Sequence, residues 1–187
     1  MKFWPRKRFI FIDETGVNTA MARRYGRSPP GKRIKEKLPR NTPKPLAIIG
    51  ALGLEGFKAT LEMEGAVTKE VFLLYLQKCL GPKLRRGDFV FLDHLSAHRG
   101  HEIRKSLEEH GAKLVWLPRY SPDFNPVEQC WSKMKNALRA AAARTRTTLR
   151  RAVQRALTTI TPEDAKGWFA HAGYGPSSMR TRKRTPL

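Results

Sequence analysis

The spacing of apolar residues predicts strands in the first part of the chain and an alternation of strands and helices after it. Apolar runs of strand-like composition span 8–13, 45–52, 57–63, 88–93 and 113–117. Apolar residues at helical spacing span about 68–80, 100–110, a segment that starts at Pro126, and 147–160. Gly53-Leu-Glu-Gly56 separates the second and third runs and predicts an antiparallel hairpin. The basic, proline-rich stretch 22–45 predicts an irregular excursion with one short strand.

This order of elements predicts an α/β fold. An antiparallel meander of three strands is followed by strand–helix alternation, which gives a mixed sheet with parallel strands after the meander and helices on its flanks. The length of 187 residues suits one folded domain. We expect that domain to cover residues 9–175, after a basic lead at 1–8 and before a disordered basic tail at 176–187.

The charge of the chain indicates the class of its partner. Lys and Arg number 37 against 16 Asp and Glu, a formal net charge of +21. Because positive charge recurs along the whole chain, we expect a nucleic acid bound through its phosphates. A merely soluble basic surface, or association with ribosomes or membranes, is the alternative. No apolar stretch approaches the roughly 20 residues of a membrane span, and the first residues lack the pattern of a signal peptide.

The cysteines indicate the redox compartment. Cys79 and Cys130 both fall on apolar faces of predicted helices. This placement predicts two buried thiols rather than a disulfide, which fits a reducing cytoplasm.

Three acidic side chains stand out by their positions. Asp13 and Asp93 end two apolar strands, and Glu128 follows a proline-punctuated loop after the 34 positions 94–127. Parallel strands that end at one sheet edge bring Asp13 and Asp93 together, where ligand sites of open α/β sheets form. Converging carboxylates repel unless a cation lies between them, and oxygen ligands favour Mg²⁺ or Mn²⁺. Two such ions activate water or a 3′-hydroxyl for phosphoryl transfer, so the acids predict metal chemistry on a polyanion.

Each acid also has a purely structural interpretation. Glu14 is a neighbouring candidate for the role of Asp13, and Asp93 begins a loop in which an aspartate often caps a turn. Glu128 occupies the third position of a helix with Asn125 as its N-cap, where a capping box contributes roughly 1 kcal/mol. The sequence leaves these alternatives open.

The histidines offer a different kind of site. His94, His98 and His101 are spaced by four and three residues, which suits zinc if the segment is helical. A strand precedes them directly and Gly100 interrupts them, which disfavours a helix there. His98 is also a candidate for positioning water or a phosphate near the acids.

Four segments resemble the catalytic domain of mariner-type and related bacterial insertion-sequence transposases of the aspartate-aspartate-glutamate superfamily. They are Phe11-Ile-Asp-Glu-Thr-Gly16, Tyr25-Gly-Arg-Ser-Pro-Pro-Gly-Lys32, Leu92-Asp-His-Leu-Ser-Ala-His98 and Leu117-Pro-Arg-Tyr-Ser-Pro-Asp-Phe-Asn-Pro-Val-Glu-Gln-Cys-Trp-Ser-Lys-Met-Lys135. The spacing from Asp93 to Glu128 also resembles that of the family. The resemblance covers about residues 8–175, and the block 117–135 is highly specific.

The resemblance implies a ribonuclease-H-like fold with Asp13, Asp93 and Glu128 as catalytic residues and ligands of two Mg²⁺ or Mn²⁺ ions. It implies hydrolysis at transposon ends, then attack of the freed 3′-hydroxyl on target DNA, by a cytoplasmic, nucleoid-associated bacterial protein. Candidate DNA contacts lie beside the acids and on the outer face of the last predicted helix: Arg119, Lys133, Lys135, Arg139, Arg150 and Arg151. For the helix face, a solvated surface is the alternative.

The chain departs from the family's pattern at two places. Family members often carry Asn where His94 stands, and they usually carry N-terminal helix-turn-helix modules that the first eight residues cannot form. A truncated copy, an isolated domain or a second reading frame each fits this pattern. The alternatives to an active transposase are a non-catalytic DNA-binding remnant and a structure-selective nuclease. A homodimer, or a pair with a full-length transposase, is the assembly we expect.

Overall fold

Five strands form one mixed sheet in a computed structural model that describes residues 5–23, 25–40, 44–95, 98 and 100–175. The spatial order is β3-β2-β1-β4-β5. The strands are β1 (Phe9–Val17), β2 (Leu46–Gly53), β3 (Gly56–Glu64), β4 (Phe89–Leu92) and β5 (Lys113–Trp116). The first three pair antiparallel, and β4 pairs parallel with both β1 and β5. The predicted meander followed by parallel strands is confirmed.

Five α-helices flank the sheet in the part of the chain that the structure describes. They are α1 (Lys69–Tyr75), α2 (His101–Glu109), α3 (Pro126–Ala141), α4 (Arg146–Thr158) and α5 (Pro162–Phe169). A π-helical turn and a 3-10 turn extend α1 as far as Lys83. Helix α1 begins where the sequence predicts, because the hydroxyl oxygen of Thr68 accepts a hydrogen bond from the N–H of Val71.

Side chains that alternate along the strands build two cores, one on each face of the sheet. Phe9 and Phe11 of β1 point to the face covered by α3, α4 and α5. Ile10 and Ile12 point to the opposite face, which α1 and α2 cover. Since α3 packs on the first face, its apolar stripe is fully buried, as predicted: Val127, Trp131, Met134 and Leu138.

The structure corrects the predicted elements at three places. Strand β1 continues to Val17, beyond the predicted end at Asp13, because its antiparallel pairing with β2 extends further than its parallel pairing with β4. Helix α5 was not predicted, although Thr161 and Asp164 form a capping box at its start. The predicted short strand is absent from the described residues of the stretch 22–45.

Both cysteines are free thiols, of which Cys130 is buried and Cys79 is half-buried. Residues 1–4 of the predicted basic lead and the predicted tail 176–187 lie outside the described residues. In the described part of the chain, no helix has both the length and the apolar character needed to cross a membrane.

Candidate active site

The register of the two central parallel strands sets the first two acids side by side. Phe9 and Phe11 of β1 pair with Phe89 and Phe91 of β4. The same register continued by two residues aligns Asp13 with Asp93, just beyond the C-terminal end of β4. Both acids have the parity of the phenylalanines before them, and they therefore face the side of the sheet on which α3 packs.

Glu128 enters the site from the first turn of α3. The side-chain oxygen of Asn125 caps this helix by accepting from the N–H of Val127 at 3.2 Å. The reciprocal half of a capping box is not formed, because the N–H of Asn125 donates to the carbonyl of Pro122 at 2.8 Å. The capping role that the sequence allowed for Glu128 is therefore wrong, and its carboxylate points into a cavity instead.

The three acids line one cavity of about 290 Å³, which we call the acid cavity. Its wall is completed by the end of β4, the loop after β5 and the start of α3: His94, Leu95, Leu117, Pro118, Arg119, Tyr120, Ser121, Pro122 and Asn125. Glu14 lies outside this set, because it follows Asp13 on β1 and its side chain points to the other face. The alternation of the strand thus selects Asp13 over Glu14 as the acid that faces the cavity.

The carboxyl of Asp13 is buried among other negative groups, and its pKa is raised from 3.8 to about 8. Burial is the main cause of the rise, and the charge of Glu128 is the next. The charges of Glu14 and Asp93 add to it, whereas the backbone N–H of Glu14, which donates to Asp13 Oδ1 at 2.9 Å, opposes it. The acids from three separate elements therefore act on one another electrostatically.

Asp93 is held by a buried histidine. His98 Nδ1 lies 2.7 Å from Asp93 Oδ1, and His98 Nε2 lies 2.6 Å from Glu14 Oε1. Burial alone pushes the pKa of Asp93 upward, but the hydrogen bonds from His98 and from the N–H of Leu95, with the charge of His98, bring it below its ordinary value. Both nitrogens of His98 face carboxylates, so this geometry does not support the zinc alternative.

A larger cavity of about 690 Å³ adjoins the acid cavity, and Glu128 lines both. We call it the basic groove, and its lining residues are Arg23, Tyr25, Glu128, Trp131, Ser132, Lys135, Asn136 and Arg139. Lys135 and Arg139 were predicted as DNA contacts, whereas Arg23 and the 90%-exposed Tyr25 were not. Their segment has no regular structure, so its sequence carries no periodic signal that places it beside α3.

The other predicted DNA contacts fall into two groups. Arg119 lines the acid cavity. Lys133 points elsewhere, because its Nζ forms an ion pair with Asp164 of α5 and donates to the carbonyl of Thr159 at 3.1 Å. The structure thus places the Lys133 side chain beside α5, outside the linings of both cavities.

The outer face of α4 is exposed as predicted, but it is separate from the acid cavity. Arg150 lies 3.4 Å from a carboxylate oxygen of Glu64 on β3. Arg151 lines a different cleft between α3 and α4. The structure does not bring these two residues to the acids.

The donor set of the acid cavity fits a hard divalent cation. Its three acids offer oxygen atoms alone, and a cation would relieve the repulsion that raises the pKa of Asp13. In the described ranges, no three His, Cys, Asp or Glu side chains are yet arranged to hold a metal ion.

Comparison with known proteins identifies the family. The sequence model of the family described as "DDE superfamily endonuclease" matches residues 8–150, which is more than half of the chain. The chain belongs to the DDE endonuclease superfamily. The resemblance noted in the sequence is thereby confirmed. No curated protein matches the chain significantly.

Solved structures of Mos1 transposase share the fold of this DDE-superfamily chain. A Mos1 paired-end complex with the left transposon end superposes with a TM-score of 0.72 at 16% identity, over 90% of this chain and 52% of that one. The catalytic domain of Mos1 mariner transposase superposes with a TM-score of 0.64 at 13% identity, over 90% of this chain and 79% of that domain. The predicted ribonuclease-H-like fold is confirmed. The chain spans about half the length of the transposase chain in the paired-end complex.

Proposed function

We propose that this chain cuts DNA strands at the ends of a transposable element and joins the freed 3′-hydroxyl to target DNA. One observation carries the proposal. Asp13, Asp93 and Glu128 come from three separate parts of the chain and line one cavity, where the charges of Glu128 and Asp93 help to raise the pKa of Asp13. Such a cluster costs stability in a metal-free protein, as the raised pKa of Asp13 indicates. It is suited to a site that binds a cation and works on phosphates.

We propose that Asp13, Asp93 and Glu128 are the ligands of two metal ions, either Mg²⁺ or Mn²⁺. When bound, such ions activate a water or 3′-hydroxyl and stabilise the oxygen that leaves in phosphoryl transfer. Two solved Mos1 mariner paired-end complexes contain Mn and Mg, respectively, which supports this choice of metal. The protein side chains supply the fixed carboxylate oxygens, and the sheet register and α3 set their positions.

The basic groove is the proposed path of the DNA backbone toward the acids. Lys135 and Arg139 lie one and two turns beyond Ser132 on α3, on the same side of the helix as Glu128. Arg119 stands at the acid cavity itself, where its guanidinium can pair with a phosphate through two parallel N–H···O hydrogen bonds. A Mos1 structure is a complex with a transposon end, which supports DNA as the substrate class.

Substitution of the acids tests the chemistry separately from binding. Asp93→Asn and Glu128→Gln should each lower Mn²⁺-dependent nicking of supercoiled plasmid by about 100-fold or more, since the metal supplies several kcal/mol in the transition state. DNA affinity, measured by fluorescence anisotropy, should stay near the wild-type value because neither acid attracts phosphate. Glu109→Gln, at an exposed glutamate of α2, is the matched control and should nick normally. Unchanged nicking by Asp93→Asn would remove that residue from the chemistry.

Joining assays distinguish a transposase from its alternatives. The wild-type chain should join a pre-cut 3′ end to plasmid DNA in the presence of Mn²⁺. Nicking without joining would indicate a nuclease on the same scaffold. DNA binding with neither nicking nor calorimetric binding of Mn²⁺ would indicate a non-catalytic DNA-binding protein.

A further inference from the structure

His98 is the one imidazole of the described residues that bridges two carboxylates. Its side chain has no exposed surface. One ring nitrogen, Nδ1, lies 2.7 Å from Asp93 Oδ1, and the other, Nε2, lies 2.6 Å from Glu14 Oε1. An ionised carboxylate can only accept hydrogen bonds, so a ring nitrogen that carries a proton donates to the carboxylate it faces.

The bridge joins the two faces of the sheet at the end of β4. Asp93 has the parity of Phe91 and faces α3, whereas Glu14 has the parity of Ile12 and faces the core built on α1. The imidazole packs on the ring of Phe72 in α1, with 4.4 Å between the ring centroids. A helix on one face thus contacts the ring that is hydrogen-bonded to an acid on the other face.

The bridge also decides which oxygen of Asp93 is available. Oδ1 accepts from His98 Nδ1 at 2.7 Å and from the N–H of Leu95 at 3.1 Å. Oδ2 has no hydrogen-bond partner among the described residues, and Asp93 lines the acid cavity. Two donors on one oxygen hold the carboxylate against rotation, so the second oxygen is presented in a fixed direction.

We propose that His98 and Glu14 are positioning residues that orient Asp93 for metal binding, with His98 donating to Asp93 and Glu14 holding the far side of the ring. This inference rests on the proposed function, because it assigns Asp93 to the metal. Hydrogen-bond partners of metal ligands typically change metal affinity by about 10–100-fold when they are removed. Here the metal ligand is the Asp93 carboxylate. The bridge limits rotation of this carboxylate, which the ion would otherwise have to restrict on binding.

The test measures Mn²⁺ affinity by titration calorimetry on the whole chain, with folding checked by circular dichroism and thermal melting. His98→Phe keeps an aromatic ring beside Phe72 but removes both ring nitrogens, and it should weaken Mn²⁺ binding by about 10–100-fold. The matched control is His110→Phe, at a half-buried histidine whose Nδ1 bonds the Ser106 carbonyl. The control should bind Mn²⁺ as the wild type does.

Two substitutions at Glu14 separate positioning from charge. Glu14→Gln and Glu14→Met both remove one negative charge, but only the glutamine keeps an oxygen that can accept from His98 Nε2. Glu14→Gln should stay within about threefold of the wild-type Mn²⁺ affinity, whereas Glu14→Met should lose about tenfold. A purely structural role for the bridge would lower the melting temperature and leave the two affinities equal.

The outcomes separate this inference from the proposed function. If Asp93→Asn loses Mn²⁺ binding while folded His98→Phe binds Mn²⁺ normally, the positioning role is wrong and the proposed function stands. If His98→Phe does not fold, equal affinities of Glu14→Gln and Glu14→Met overturn the inference. If the wild-type chain binds no Mn²⁺, the proposed function itself fails, and the positioning role fails with it.

Discussion

At the scale of single residues, the buried carboxyl of Asp13 works against the stability of the fold that holds it. Its pKa is about 8, against an ordinary value of 3.8, because burial and neighbouring acids disfavour the ionised form. The folded state therefore holds this proton more tightly than the unfolded state does. The stabilisation that this tighter proton binding gives is fully present below about pH 4 and is lost as the pH rises toward 8.

Asp13→Asn should accordingly stabilise the metal-free protein. The amide carries no charge to desolvate, so the free energy of unfolding at pH 8 should rise by roughly a few kcal/mol relative to the wild type. At pH 4 the two proteins should differ little. Urea unfolding in EDTA at both pH values measures the difference, with the exposed Glu109→Gln as control. Equal pH dependence of Asp13→Asn and the wild type would contradict the electrostatic cost assigned to Asp13.

At the scale of elements, the packing of α3 against the sheet sets the position of Glu128. Gly50 of β2 pairs with Asp13 of β1, and Trp131 of α3 packs over it. A Cβ at Gly50 would lie 2.6 Å from Trp131 Cη2 and equally close to Phe57. Trp131 follows Glu128 by three residues, or about one helical turn. The missing side chain at Gly50 therefore lets α3 approach the sheet beside Asp13.

Gly50→Ala should destabilise the protein by about 1–3 kcal/mol, because the added methyl group overpacks a region filled by rigid rings. It should also lower nicking by more than the loss of folded protein explains, since α3 carries Glu128. Gly16→Ala is the control, because a Cβ there meets nothing within 4 Å and the strand backbone is ordinary. Equal unfolding midpoints for the two variants in urea would show that the close approach of Trp131 is unimportant.

At the scale of the whole molecule, the net charge of +21 does not say which cations meet DNA. Lys133 and Lys135 are two residues apart on α3 and have different surroundings. Lys133 pairs with Asp164 of α5, whereas Lys135 lines the basic groove. The first links α5 to α3, and the second is one of the phosphate contacts proposed above.

Lys135→Ala should weaken DNA binding by about five- to tenfold at 0.1 M salt and reduce the slope of log K against log salt by about 1, as the loss of one phosphate contact requires. Lys133→Ala is the matched control and should leave both quantities close to the wild type, while lowering the melting temperature. Anisotropy titrations of duplex DNA across a salt series measure the affinity and the slope. Identical slopes for the two variants would remove Lys135 from the DNA interface.

Local sequence signals predicted most of the elements, but two local signals were misjudged. Apolar runs predicted all five strands, and Thr68 and Asn125 correctly marked the starts of α1 and α3. Helix α5 was missed although the sequence carried its signal, a Thr at 161 with Pro and Asp at the first and third helical positions. The capping role allowed for Glu128 was wrong because the N–H it required is taken by the carbonyl of Pro122.

The sequence by itself determined the α/β order, the basic character and the three acids proposed for the site, because periodicity, charge and a specific motif are local properties of the chain. Only the tertiary structure decided that Asp13 rather than Glu14 faces the acid cavity, that His98 bridges Glu14 to Asp93, and that Lys133 pairs with Asp164 of α5. The contacts of His98 with Glu14 and of Lys133 with Asp164 join residues 84 and 31 positions apart. Strand register and helix packing fix such distances, and no local pattern of residues encodes them.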